Sequence, residues 1–134
     1  RTAITKEADA ERKNTEMGHQ FIVPYGLYRC EGHISANLAQ RVTGFSEDDL
    51  SLLWEAILNM FEHDHAAIRG QMAIRDLIIF KHDSELGNAP AHKLFDAVTV
   101  ERKDLTKPAR KFSDYAVNVD TSAIPSGVTV IELD

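Results

Sequence analysis

The sequence predicts an α+β fold, with one main amphipathic helix packed on an antiparallel sheet. Three observations carry this reading. The stretch from Leu50 to Phe61 repeats apolar residues at three- and four-residue steps, which is helical spacing. Several short runs alternate with a period of two, which is strand spacing. No internal repeat, heptad array or low-complexity tract competes with these patterns.

Arg1 to Gln20 is polar, and its helix-forming stretch Lys6 to Lys13 carries only alanines as apolar groups. It reads as a short exposed helix or excursion, ended by Met17-Gly18, and not as a core element. Phe21, Val23, Tyr25 and Leu27 then alternate with Ile22, Pro24, Gly26 and Tyr28, which predicts a strand. Pro24 has no amide donor, so this strand belongs at an edge or carries a bulge. His33 to Ser35 extends it past Gly32.

The clearest helix starts at Ser46. Ser46 is an N-cap residue with Asp49 three positions on, a variant of the capping box. Phe45 and Leu50 stand at staple positions. Leu50, Leu53, Trp54, Ile57, Met60 and Phe61 form the apolar face. Glu47, Asp48 and Asp49 lie at the positive end of the helix dipole, Arg69 lies near its negative end, and Gly70 supplies a left-handed cap. Leu77 to Lys81 is nearly all apolar and reads as a buried central strand. Ser84 to Ala91 is a loop punctuated by Gly87, Asn88 and Pro90. Phe95 to Arg102, Asp114 to Val119 and Val128 to Leu133 read as strands. Val98 and Val100 share one face, and Tyr115, Val117 and Val119 share another. Pro125, Ser126 and Gly127 turn the chain into the last strand.

A chain of 134 residues with 43% hydrophobic and 27% charged residues suits one globular domain. No apolar run approaches the length of a membrane span. The first residues are charged and lack the apolar core of a signal peptide. Cys30 is the single cysteine, so an internal disulfide framework is excluded. These features point to the cytoplasm. The net charge of -6 works against phosphate binding, but its distribution is uneven. Ser46 to Asp64 holds six carboxylates and no Lys or Arg, a local charge of -6. Glu101 to Lys111 holds five cations against two carboxylates, a local charge of +3.

Enzymatic readings find little support. Glu62 and His65 have Glu-x-x-His spacing, but di-iron sites need two such pairs and further glutamates. His63 and His65 point to different helix faces, and no zinc-type cysteine spacing occurs. A metal-dependent nuclease using Glu62, His63 and His65 remains the enzymatic alternative. Cys30 with His33 nearby lacks an oxyanion motif, so an ordinary thiol accounts for it. The loop around Gly87 lacks the P-loop pattern. The reading is therefore of a non-enzyme, with no metal and no cofactor. Lys81 and His82 close a strand and open a loop, with His92 and Lys93 just beyond. A sheet holds such residues in place while exposing them. Tyr25 and Tyr28 offer stacking faces for bases, but core or surface packing explains them as well. Arg110 and Lys111 read equally as a phosphate-binding edge or as solvated charge.

Three phrases carry a resemblance. They are QFIVPYGLY (Gln20 to Tyr28), NMFEHDHAAIRGQM (Asn59 to Met72) and FKHDSELGNAPAHKLF (Phe80 to Phe95). ARKFSDYAVNVD (Ala109 to Asp120) fits the same pattern. Together they resemble the backbone subunit of type I-C CRISPR interference complexes, the Cascade protein that coats the guide RNA. Members of that family are substantially longer, so the resemblance implies a further part before Arg1. The fold it implies is the later half of an RRM-like, ferredoxin-like palm. Residues 1–20 would then be a thumb-like extension, and residues 21–134 the C-terminal part of the palm.

The function implied is polymerisation along the crRNA in an antiviral ribonucleoprotein. The guide is thereby ordered for pairing with target DNA, and base pairing supplies the specificity. The partners implied are crRNA, target DNA through the guide, other copies of the chain and other Cascade subunits. Arg1 matches the start of the family's thumb. Met17 and Gly18 match its exit, with Met17 as an apolar wedge between bases. Where the family commonly carries Arg-Lys next, this chain has His19 and Gln20, which removes two positive charges. Lys81, His82 and Lys93 carry over as RNA-binding candidates. A protein-interaction module without RNA contact is the remaining alternative.

Overall fold

The computed structural model describes residues 2–3, 16–17, 19, 21–64 and 70–133. Of residues 2–3 and 16–17 it describes the backbone alone. The fold is α+β, with helices and antiparallel strand pairs. The expected exposed helix at Lys6 to Lys13 lies outside the described residues. Flanking it, β1 (Thr2–Ala3) pairs antiparallel with β2 (Glu16–Met17), Thr2 opposite Met17.

The strand expected at Phe21 to Tyr28 does not form. Phe21, Ile22, Val23 and Tyr28 are largely exposed, Phe21 almost completely at 99%. Alternation alone cannot make a strand, because a ladder needs a neighbour to accept its hydrogen bonds. No described strand lies alongside this segment. His33 to Ser35 is not a strand extension either. Ser35 caps a short helix, α1 (Ala36–Leu38), its hydroxyl accepting from the Leu38 N–H at 3.4 Å. A π-type turn, Ala39–Thr43, comes next and ends at Gly44, whose positive φ of 67° suits glycine.

The main helix, α2 (Glu47–Asn59), begins as its sequence dictates. The Ser46 hydroxyl accepts from the Asp49 N–H at 3.2 Å, and the Asp49 carboxylate accepts from the Ser46 N–H at 2.8 Å. This is a complete capping box. The helix ends earlier than expected, capped at Met60 with no basic residue in its last turn. Gly70 does adopt a positive φ, but ten residues beyond that cap. Arg69 lies outside the described residues. No α2 residue is fully buried. Leu50, Leu53, Trp54 and Ile57 are half-buried, while Met60 is exposed. Leu53 faces a shallow open groove shared with Ile34, Leu38 and Phe45.

β3 (Leu77–His82) pairs antiparallel with β6 (Val128–Leu133), from Leu77 opposite Leu133 to His82 opposite Val128. Among the described residues β3 has this one neighbour, so it is not the central strand its composition suggests. In-register partners share a face, which puts Ile79 and Ile131 on one side and Phe80 and Val130 on the other. Both faces of this pair are therefore largely apolar.

A short helix, α3 (Ala91–Asp96), occupies residues read from sequence as loop end and strand start. Six residues are too few to show a helical period. β4 (Val98–Arg102) comes next and pairs antiparallel with β5 (Tyr115–Val119). Val98, Val100, Val117 and Val119 share one face, while Thr99, Glu101 and Asn118 share the other. The buried apolar residues among those described are Leu94, Ala97, Val98 and Ala109. The core thus centres on α3 and β4. No described helix is long and apolar enough to cross a membrane.

Candidate nucleic-acid interface

The loop between β3 and α3 is knitted by its own polar groups. His82 Nδ1 accepts from the Asn88 N–H at 2.8 Å. Asn88 Oδ1 accepts from the Ser84 N–H at 3.0 Å, and the Gly87 N–H donates to the Ser84 carbonyl at 2.9 Å. The Asp83 N–H reaches across to the Gly127 carbonyl at 2.9 Å, tying this loop to the turn before β6. Gly127 has φ +84°, and a Cβ there would lie 2.4 Å from Asn88 Nδ2. The backbone conformation and the packing against Asn88 both require glycine.

This loop separates the basic candidates. Lys81 is exposed near the end of β3, opposite Thr129. His82 is adjacent and projects from the opposite face. It is half-buried, and its Nδ1 is committed to Asn88. His82 therefore shapes the loop. His92 and Lys93 are exposed on α3, while Leu94 on the same helix is 2% exposed and anchors it. Arg1 lies outside the described residues. Met17 is described as part of β2 by its backbone pairing.

The basic stretch after β4 divides into two groups. The Arg102 guanidinium donates to the Asp104 carbonyl at 3.0 Å and to the Lys107 carbonyl, and its buried Nε has no hydrogen-bond partner. Lys103 Nζ donates to the Ser113 carbonyl at 3.0 Å. These two cations hold their own loop. Lys107, Arg110 and Lys111 are exposed. The Arg110 N–H, at 2.8 Å, is the larger cause holding the Asp114 carboxyl below its ordinary range, with the Lys111 N–H adding to it. The Thr106 hydroxyl, then its N–H, does the same for Asp104.

Sequence reasoning missed Arg29. Its Nη1 donates to the Val98 carbonyl at 2.8 Å and its Nη2 to the Phe95 carbonyl at 2.7 Å. Nη2 also pairs with Glu31 at 2.8 Å. On either side of it, the Tyr25 ring lies 6.2 Å from Tyr115 and the His33 ring meets Phe95 edge-on at 5.3 Å. No local motif signals the carbonyl and ring contacts, because they join residues more than sixty positions apart. Arg75 stacks over Phe112 at 5.1 Å. Cys30 is exposed. Among the described residues no group of three or more His, Cys, Asp or Glu is placed to hold a metal ion. His65 lies outside them.

The exposed cations thus lie at a strand end (Lys81), on a short helix (Lys93) and along one loop (Lys107, Arg110 and Lys111). Such an arrangement suits contact with a phosphate backbone, which needs positioned cations and no reacting group. A comparison with protein-family models matches residues 1–120 to the family described as CRISPR-associated protein Cas7. No curated protein matches the chain.

Proposed function

The chain belongs to the CRISPR-associated Cas7 family, and we propose that it is the guide-RNA-binding backbone subunit of a type I-C interference complex. The observation that carries this reading is the family match over residues 1–120, most of the chain. The phrases from Gln20 to Tyr28, Asn59 to Met72, Phe80 to Phe95 and Ala109 to Asp120 support the subtype. In this reading the protein performs no covalent chemistry. Copies assemble along the crRNA, hold its backbone and leave its bases ready to pair with target DNA.

The exposed Lys81 and Lys93 contact guide phosphates, with Lys107, Arg110 and Lys111 as a further basic edge. His82 keeps the loop between Lys81 and Lys93 in shape. Residues 1–20 act as the thumb, where Arg1 contributes charge and Met17 separates neighbouring bases. Residues 21–134 act as palm.

The test is binding of the full chain to a fluorescein-labelled single-stranded RNA across a salt series. The expected result is an affinity that falls as salt rises, because bound cations displace counterions from the phosphates. Absence of binding at low salt would overturn the proposal.

A further inference from the structure

We propose that Arg29 is a positioning residue that clamps the end of α3 and thereby sets the place of Lys93. The inference rests on the reading that Lys93 contacts RNA, and it deepens that reading. A six-residue helix has little stability of its own, since nucleation consumes most of what so few hydrogen bonds return. α3 also lacks a side-chain cap at its N-terminus, where Pro90 stands. Its fixation must come from elsewhere. Leu94 supplies one anchor by burial. Arg29 supplies the other.

The last carbonyls of any helix lack partners within it and carry partial negative charge. The Arg29 fork meets that need at Phe95 and bridges onward to Val98, the first residue of β4. It therefore locks helix to strand at the junction. Lys93 lies in the last turn of α3, two residues before the clamped Phe95, and its carbonyl accepts from the Ala97 N–H at 3.3 Å inside the clamped stretch. Nη1 and Nη2 are turned to protein acceptors, namely two carbonyls and Glu31. Arg29 thus acts on RNA through Lys93.

The experiment compares Arg29→Met, Arg29→Lys, Lys93→Ala and the double variant Arg29→Met/Lys93→Ala in the full chain. The readouts are the salt slope of binding to labelled single-stranded RNA and amide deuterium exchange over residues 94–98. Losing one phosphate contact lowers the slope by roughly 0.7 for a single strand. Lys93→Ala is expected to show that drop. Arg29→Met is expected to show a similar drop, with faster exchange over residues 94–98. The double variant is expected to match Lys93→Ala alone, because the two residues act in series.

Arg29→Lys keeps the charge but loses the fork, so it is expected to restore the slope incompletely. Should Arg29→Met fail to fold, Arg29→Lys carries the comparison. Additive losses, or full restoration by lysine, would overturn the proposal by showing independent charge action. A silent Lys93→Ala would defeat the RNA reading at that residue. The clamp would then stand on faster exchange in Arg29→Met and fall on unchanged exchange.

Discussion

Residues 21–64 and residues 77–133 carry similarly apolar patterns but use them differently. In the later region each alternating run finds a partner strand: β3 pairs with β6, and β4 with β5. The turns between them are closed by side chains, as with Asp104 to Thr106, Asp114 to Arg110 and Asp120 to Ser122. In the earlier region, Phe21 to Tyr28 alternates just as clearly yet stays unladdered, with Phe21 99% exposed. It is held through the side chains of Tyr25, Arg29 and His33. The lesson is that a periodic pattern states what a segment can pair with, and a neighbour decides whether it does.

The comparison can be broken first at the core of the later region. Leu94→Ala is expected to destabilise the chain by about 2–4 kcal/mol, the cost of a cavity at a fully packed site. Urea unfolding followed by circular dichroism would measure it. A loss below about 1 kcal/mol, small against the usual core range, would mean that the core lies elsewhere. Gly127→Ala comes next, with an expected loss of about 1–3 kcal/mol from the positive φ and the clash with Asn88. The same unfolding curves would report it.

Acid gives a smaller, graded effect. Asp49, Asp104, Asp114 and Asp120 are held below the ordinary carboxyl value of 3.8 by hydrogen bonds to Ser46, Thr106, Arg110 and Ser122. Groups depressed in the folded state stabilise it above 3.8, and that stabilisation is lost as pH falls through their folded values. Unfolding curves measured below pH 4 should therefore show declining stability. Three of the four carboxylates lie in the later region, so exchange there should rise more than around Ser46. Ser46→Ala costs about 1 kcal/mol at neutral pH and weakens, without abolishing, the acid response at the α2 cap, because the residue 46 N–H still donates to the Asp49 carboxylate. The smallest effect belongs to Phe21→Ser, expected within about 0.5 kcal/mol of wild type because the ring is already in solvent. A larger loss would show that the earlier region is packed after all.

Much of the later region is legible in the sequence. Val128 to Leu133 reads as a strand and is one, because a turn with Gly127 isolates it and β-branched residues fill most of it. The Ser46 cap is equally legible, since a capping box is local chemistry. α3 is not, because six residues cannot display a period. The end of α2 misleads because Arg69 and Gly70 look like a terminus, while the chain leaves the helix at Met60. Lys81 and Lys93 stand out in the sequence as cations beside a loop, and both are exposed there. Arg29 does not stand out, since its role exists only when Phe95 and Val98 are brought beside it.

By itself, the order of residues settled the α+β class, the helix start, the turn glycine and the family phrases. Each depends on spacings of a few residues or on strings read directly. Tertiary structure decided which strands pair, where the core lies and what Arg29 and His82 hold. Those outcomes depend on contacts between distant segments, and the free energy of such contacts is set by which surfaces meet and not by the pattern of either one alone.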